Sequence, residues 1–378
     1  QFIPERIARR GLACVQVISR PEVREKCLKF ADRMPLVESI QHDGDIEATL
    51  AALRRHDPRL VLPGHESGVE LADLLAERLG LPGNGTAQSR ARRDKFQMKE
   101  ALRARGLRTV DYHRGASLDE LVSWARTRDE WPYVIKPMDS AGTEGVHFVN
   151  SPEELERWRR ELVGKTNHLG GFNATVLLEQ RARGVEFIMN TVSHGGQHVL
   201  TDFWQCRKMP SAASSPIYDF LLLGPYPGAE WAEEKKYLFA LLDALGIQYG
   251  PAHSELMLTP DGMVLIETGA RCMGASVSPD MMDECIGQNQ IDLTLESYLD
   301  PAAFLRRQGV PYAVKKYCML KILITYDTGV VKSIPGLDVA RRLRSFYGAD
   351  LPRVGESITK TIDLVTSPGK IVLVHEDP

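Results

Sequence analysis

Apolar and polar positions change their period several times along this 378-residue chain, and each change marks a predicted element. In the first third, Leu12 to Ser19 reads as a strand and Gly44 to His56 as an amphipathic helix. Leu60-Val61-Leu62-Pro63 reads as a buried strand and Val69 to Leu79 as a helix. Such alternation predicts a parallel α/β sheet. Helical Phe2 to Arg10 opens with neither an initiator Met nor a preceding strand, as expected if the numbering starts inside an αβ unit whose first strand is absent. Pro82-Gly83-Asn84-Gly85-Thr86 is a breaker cluster and a predicted boundary. A basic helical stretch, Ala87 to Arg105, and a second helix, Leu118 to Arg126, follow. From Tyr133 the pattern changes to β. Strands are predicted at Tyr133 to Lys136, Val146 to Asn150 and Val176 to Gln180, with a helix at Pro152 to Leu162. Long antiparallel strands come next, Glu186 to Val192 and His198 to Cys206. Arg207 to Gly228, rich in Ser, Pro and Gly, predicts a long functional loop. Trp231 to Leu245 is helical, a hairpin follows it, and Gln290 to Gln308 is helical again. The tail from Lys315 alternates strand and turn, with a helix at Val339 to Phe346. No repeat or low-complexity segment is present.

The hairpin carries the most chemistry. It reads His253-Ser254-Glu255-Leu256-Met257-Leu258-Thr259, then Pro260-Asp261-Gly262, then Met263-Val264-Leu265-Ile266-Glu267-Thr268. Pro-Asp-Gly between alternating apolar runs predicts a three-residue loop with Gly at the left-handed position. With Thr259 and Met263 flanking that loop, Glu255 falls directly opposite Glu267. Opposed residues on one face stand about 5 Å apart, where like charges are destabilising. Alone, either glutamate reads as a solvated strand carboxylate. Opposed, they call for a divalent cation, and hard oxygen ligands on a rigid sheet suit magnesium, with phosphates completing its shell. His253 shares the face of Glu255, either to orient a substrate or as a hydrogen-bonded structural histidine.

Composition narrows the partners. The chain carries 47 basic against 50 acidic side chains and 43% hydrophobic residues, a globular balance large enough for two or three domains. Near-neutral charge argues against nucleic-acid binding driven by bulk electrostatics, and the short basic stretch Arg90 to Lys99 reads as helix surface. No run reaches the length of a membrane span, and no secretory leader pattern opens the chain. Cys14, Cys27, Cys206, Cys272, Cys285 and Cys318 are scattered, with no CxxC and no metal-like spacing. They read as reduced thiols of a cytoplasmic protein. Cys272 lies near the hairpin, but a catalytic thiol needs an activating base, and the sequence shows none.

Lys136 ends the apolar run Tyr133-Val134-Ile135, and the loop Asp139-Ser140-Ala141-Gly142-Thr143-Glu144-Gly145 leads into the next strand. This is not a Walker loop, because it lacks the terminal Gly-Lys-Ser/Thr and opens a strand where a Walker loop opens a helix. Glycine-rich loops between strands still present backbone N–H groups to phosphate. Taken singly, the loop is a hairpin turn and Lys136 a solvated strand end; together they form a phosphate clamp. Val176-Leu177-Leu178-Glu179-Gln180 then ends in a polar, Gly-containing turn before Glu186. Such a hinge offers donors and acceptors to a purine edge, with Glu186 accepting from ribose hydroxyls, or is a plain surface connection.

The order of these motifs resembles the ATP-grasp superfamily of carboxylate–amine ligases, most closely the L-amino acid ligase branch, which is similar to biotin carboxylase in plan. The resemblance runs from about Leu60 to Arg271 and extends more weakly through the tail. It rests on Pro63-Gly64-His65-Glu66-Ser67-Gly68-Val69, the Arg93-Asp94-Lys95 helix start, Val134-Ile135-Lys136-Pro137, the Ser140 to Gly145 loop, the Glu179 hinge and the set Glu255, Glu267 and Arg271. It implies an α/β and α+β architecture: a parallel α/β pre-grasp domain (1–92), a helical linker (93–117), a small β-rich lid (118–185) and a larger C-terminal domain (186–378) with the metal and substrate site.

The resemblance also implies roles. Lys95 and Lys136 would contact the nucleotide phosphates under a closing loop that includes Ser140, Gly142 and Thr143. Glu179, Gln180 and Ala182 would line the adenine pocket, and Glu186 would hold the ribose. Glu255 and Glu267 would bind magnesium, with manganese as an alternative ion, and Arg271 would sit beside the reacting carboxylate. Relatives commonly carry Asn two residues after the second glutamate as a further metal ligand. This chain has Gly269, so water or a bidentate Glu267 is expected to fill the shell. Met273 and Gly274 are candidates to shape the substrate pocket. His253 and Lys208 are further substrate candidates, Lys208 with Tyr218 and Asp219 on a recognition loop.

The chemistry agrees with these residue types. A free carboxylate resists amine attack because its leaving group would be an oxide, whereas γ-phosphoryl transfer makes an acyl phosphate that loses phosphate. Cations are needed where that charge develops, which lysines, magnesium and Arg271 supply. The expectation is an ATP-dependent ligase joining an amino acid carboxylate to an amine, from a second amino acid, with release of ADP and phosphate. Its product class is a dipeptide or peptide-like secondary metabolite. Expected partners are small-molecule amino acids, with no nucleic acid and no membrane, and a homodimer is compatible. A carboxylase-type or nucleotide-precursor ligase and a non-catalytic ATP-binding regulatory protein stay open as alternatives.

Overall fold

The computed structural model describes residues 2–24, 28, 33–128, 130–210 and 215–377. Cys27 and residues 211–214 of the expected loop lie outside them. Near the N-terminus, β1 (Val15–Ile18) pairs in parallel with β2 (Glu38–Gln41). The helix Ile46–Arg54 is capped by Asp45, whose carboxylate accepts from Ala48 N–H at 3.0 Å. The helix Val69–Leu79 ends at Gly80 in the left-handed conformation, φ 68°. Leu50, Leu53 and Leu75 form a small core with Val15, Val17, Ile40 and Val61. The strand expected at Leu60–Pro63 does not form. Val61 joins the core, but Pro58 and Pro63 bracket the run, and neither proline can donate to a ladder.

Four strands make a second sheet: β3 (Tyr112–Gly115), β4 (Tyr133–Lys136), β5 (His147–Val149) and β6 (Val176–Gln180), in the antiparallel order β3-β6-β4-β5. The stretch 93–117, read from sequence as a helical linker, contains the helix Lys95–Ala104 but also β3, hydrogen-bonded into this sheet. The helices Leu118–Arg126 and Pro152–Leu162 cover one face, burying Leu121, Leu155 and Leu162 against Tyr133, Ile135, Val176 and Leu178. Both begin at a serine, Ser117 and Ser151, that accepts from the N–H of a glutamate three residues on, a spacing visible in the sequence.

Eight strands build the main sheet: β7 (Val185–His194), β8 (Gln197–Pro210), β9 (Pro216–Leu223), β10 (Gly250–Thr259), β11 (Gly262–Gly269), β12 (Tyr317–Ile322), β14 (Phe346–Asp350) and β16 (Lys370–His375), with β13 (Gly329–Val330) and β15 (Ser357–Ile358) as a separate pair. Their order is β11-β10-β7-β8-β9-β12-β16-β14, antiparallel throughout. Alternation along β7 sends Phe187 and Met189 to the helix Ala232–Ala244, and Ile188 to the helix Pro279–Ile286 on the other face. That last helix had no expected counterpart. The stretch Arg207 to Gly228 is mostly strand, not loop. Pro210 ends β8, Pro216 begins β9, Pro225 and Pro227 follow β9, and Ile217, Tyr218, Leu221 and Leu223 are buried. The tail helix is Leu337–Arg341, and Phe346 begins β14. Among the described residues no helix is long and apolar enough to cross a membrane.

The hairpin differs from expectation in an instructive way. Thr259 pairs with Gly262, so the loop is two residues, Pro260 and Asp261. A bulge then leaves Ile266 without a partner, because Leu256 pairs with Leu265 and Glu255 with Glu267. The expected opposition of the two glutamates is reached by a shorter turn and an extra residue.

Of the basic residues in the stretch Arg90 to Lys99, read as helix surface, only Arg90 is exposed. Arg92, Arg93, Lys95 and Lys99 are all buried, each beside an acid from another element. Arg92 Nε and Nη2 donate to Asp73 Oδ2 at 3.1 and 2.9 Å, and Nη1 donates to the Leu245 carbonyl at 2.9 Å. It therefore ties the N-terminal helices to the helix under the main sheet. Arg92→Ala leaves Asp73 buried without its counter-charge, held only by the Ser89 hydroxyl at 2.5 Å, a loss of about 3–5 kcal/mol in urea unfolding. A cost as small as that of an exposed pair, about 0–1 kcal/mol, would contradict this role.

Candidate functional site

A cavity of about 790 Å³ lies between the four-stranded sheet and strands β7, β8, β10 and β11. Lys136 at the end of β4 reaches it, and its Nζ stands 2.5 Å from Glu179 Oε1 on neighbouring β6. Lys99 Nζ approaches the other oxygen, Glu179 Oε2, at 3.1 Å. Burial alone would raise the Glu179 pKa, but Lys136 and Lys99 outweigh it and hold the carboxyl below its usual range. Burial pushes the Lys99 ammonium down. Lys95 Nζ donates to the Ser140 carbonyl at 2.8 Å and stands 3.0 Å from Glu267 Oε1. It thus joins the glycine loop to the hairpin. Gly145 in that loop has φ 69°, and an added Cβ would press on Pro137 and Leu162, so only glycine fits there.

The opposed glutamates are met by protein ammonium groups as well as facing the cavity. Glu267 has Lys95, and Glu255 Oε2 has Lys208 Nζ at 3.2 Å. Glu255 Oε1 also accepts from the Tyr218 hydroxyl at 3.0 Å and lies 3.6 Å from His253 Nε2. Burial would raise Glu255, but Lys208 and His253 hold it well below the usual carboxylate range. Burial pushes Glu186 up although the same Lys208 stands 2.6 Å from it. Among the described residues no group of three or more His, Cys, Asp or Glu side chains is placed to hold a metal. Two carboxylates of hard oxygen character therefore fit magnesium only as part of a shell that phosphates and water complete.

Beside the hairpin exit, Glu66 is buried between two arginines. Arg93 Nη1 is 3.0 Å from Glu66 Oε2, and Arg271 Nε is 3.3 Å from Glu66 Oε1. Burial opposes ionisation of Glu66, but Arg271 and Arg93 outweigh it and lower its pKa. A Cβ at position 269 would overlap Glu66 Oε1. The carboxylate that orients Arg271 thus occupies the room an asparagine would need, which accounts for Gly269.

The ATP-grasp domain family matches residues 129–280. Over 347 residues, 90% of this chain and 80% of the relative, the chain is 30% identical to dapdiamide A synthase of Enterobacter agglomerans. This chain belongs to the ATP-grasp ligases. It is an ATP-dependent enzyme that forms an amide bond between a carboxylate and an amine. Its fold is shared with an L-amino acid ligase of Bacillus licheniformis, with TM-score 0.79 and 24% identity over 100% of this chain and 90% of that one. The biotin carboxylase domain of Hydrogenobacter thermophilus 2-oxoglutarate carboxylase, solved as a dimer with MgADP and bicarbonate, has TM-score 0.67 at 14% identity, over 99% of this chain and 83% of that one.

Against the ATP-grasp plan, the structure gathers Lys95, Lys136, Ser140, Gly142, Thr143, Glu179, Ala182, Glu186, Lys208, Glu255 and Glu267 around one cavity. Gln180 is not brought there, since its amide donates outward to Glu130. Arg271, Met273 and Gly274 lie outside the lining, in the segment after β11. His253 sits behind Glu255, its Nδ1 2.8 Å from Asn190 Oδ1, and Asn190 Nδ2 donates to Met273 Sδ at 3.1 Å. Lys208 lies on β8, paired with Tyr218, and not on a loop. Burial pushes the Cys272 thiol up to about 12, so it is no nucleophile at neutral pH. Sequence reasoning missed Lys99. The available signal was its spacing of four from Lys95, which stacks both lysines on the face that buries Met98 and Leu102. Gly269→Ala should displace Glu66, lowering stability by about 1–3 kcal/mol and turnover with it. Unchanged melting and unchanged phosphate release would show that the close approach has no consequence.

Proposed function

We propose that this ATP-grasp ligase activates the carboxylate of one amino acid as an acyl phosphate and passes it to the amine of a second, giving a dipeptide-like product, ADP and phosphate. The observation that carries the reading is the convergence of Lys95, Lys136 and the glycine loop with the paired Glu255 and Glu267 on one cavity. The names of dapdiamide A synthase and the L-amino acid ligase support the choice of amino acid substrates.

In this reading Lys95 and Lys136 hold the nucleotide phosphates, with backbone N–H groups of Ser140 to Thr143 above them. The turn from Glu179 to Ala182 borders the adenine, and Glu186 accepts from the ribose hydroxyls. Glu255 and Glu267 hold magnesium, and manganese fits the same donors. Bound there, the metal supplies positive charge to the transferring phosphoryl oxygens. A carboxylate oxygen of the first substrate attacks the γ-phosphorus and ADP leaves. The amine of the second substrate then attacks the carbonyl carbon, phosphate leaves, and the amine gives up a proton. Arg271, aimed by Glu66, offsets the negative charge on the reacting carboxyl oxygens. Met273 and Gly274 border the side chain of a substrate.

Removing one such electrostatic contact typically costs about a hundredfold or more in kcat. Glu267→Gln and Arg271→Ala should each lower phosphate release by that factor with circular dichroism unchanged. Near-normal turnover in either would remove this mechanism. A phosphate-release screen over pairs of amino acids, with the product identified by mass, tests the substrate class. Release only with bicarbonate or a purine precursor would replace it with a carboxylase-type reading.

A further inference from the structure

Lys208 is shared by two carboxylates that have different tasks in the proposed reaction. Its Nζ stands 2.6 Å from Glu186 Oε1 and 3.2 Å from Glu255 Oε2. The ammonium also lies 4.4 Å from the centre of the Tyr218 ring, and the Tyr218 hydroxyl donates to Glu255 Oε1 at 3.0 Å. Strand register fixes this arrangement: Lys208 pairs with Tyr218 across β8 and β9, next to a register shift between Arg207 and Lys208. The side chain is nearly buried, so its partners are these groups and not bulk water.

Glu255 therefore has a full positive charge beside it before any ligand arrives, and Glu267 has another in Lys95. Among the described residues no group of three or more His, Cys, Asp or Glu side chains is placed to hold a metal on its own. A divalent ion approaching the nucleotide-free site would meet two ammonium groups and too few oxygen donors. A polyphosphate brings the missing oxygens and enough negative charge to offset both lysines.

We propose that Lys208 is a built-in counter-cation, which neutralises Glu255 in the nucleotide-free enzyme so that the metal enters with the nucleotide and not ahead of it. The proposal rests on reading the cavity as the metal–nucleotide site. Glu186, the group placed for the ribose, is the second anchor of the same ammonium, which links the two ends of the nucleotide site through one side chain.

The test uses manganese as the probe, with free Mn²⁺ followed by electron paramagnetic resonance in the full chain. Wild type, Lys208→Met, Lys208→Gln and Lys208→Arg are compared without nucleotide, and ADP binding is measured separately by calorimetry. A charge within about 4–6 Å shifts an ionic equilibrium by roughly one to three powers of ten. Nucleotide-free Lys208→Met and Lys208→Gln should therefore bind Mn²⁺ about tenfold or more tightly than wild type, while Lys208→Arg, which keeps the charge, should not. Melting curves show which variants are folded. If neither neutral variant folds, wild type decides: Mn²⁺ bound as tightly without ADP as with it overturns the proposal. Unchanged Mn²⁺ affinity in a folded neutral variant that still binds ADP also overturns it, and leaves the nucleotide reading intact. No ADP binding by wild type overturns both.

Discussion

Glu255 and Glu267 stand opposite each other on β10 and β11, and the bulge at Ile266 keeps them there. Two carboxylates so placed repel, and the surrounding structure is organised to offset that repulsion. Lys95 comes from a helix start, Lys208 from β8, and the Tyr218 hydroxyl from β9. Each of those elements is held at its own distance from the hairpin by an apolar core, so the charges converge only when the whole sheet is assembled. The acidic pair is thus the point on which the hairpin, the nearby helix start and two further strands agree.

The buried charges around it are poor candidates for stability elements. Desolvating a carboxylate and an ammonium costs about as much as their attraction returns, and apolar replacements of such pairs are often neutral or stabilising. Lys99, Lys136 and Glu179 form one such cluster, and Arg93, Arg271 and Glu66 another. What these clusters provide is orientation: cationic side chains held in fixed positions by buried carboxylates, which under the proposed reaction would stabilise developing charge without reorganising. Gly269 belongs to the same arrangement, since its missing side chain lets Glu66 approach the segment that carries Arg271.

Much of this was legible in the sequence, for local reasons. The helices Leu118–Arg126 and Pro152–Leu162 were found from their own residues, and the apolar runs on either side of Pro260-Asp261-Gly262 marked β10 and β11. The motif order pointed to the ATP-grasp plan, because several short motifs in one order are specific where each alone is not. Information that depends on distant partners was not legible. Whether Arg90 to Lys99 is surface or interior depends on Asp73, Glu66, Glu267 and Glu179, which no local window contains. Leu60–Pro63 has strand composition but no partner, and the Ser- and Pro-rich composition of 207–228 hid the strands that end at Pro210 and begin at Pro216. The hairpin loop length was misread, yet the opposed glutamates were placed correctly, because a compensating bulge shifted the register back.

The claim beneath the functional reading is that a nucleotide-bound cation takes its place between the two glutamates. Crystals grown with manganese and a non-hydrolysable ATP analogue, measured for the anomalous signal of the metal, address it directly. The account predicts a peak at coordination distance, about 2.0–2.2 Å, from oxygens of both Glu255 and Glu267 and from the phosphates. A bound analogue with no peak there, and with the carboxylates still paired only to Lys208 and Lys95, would contradict it.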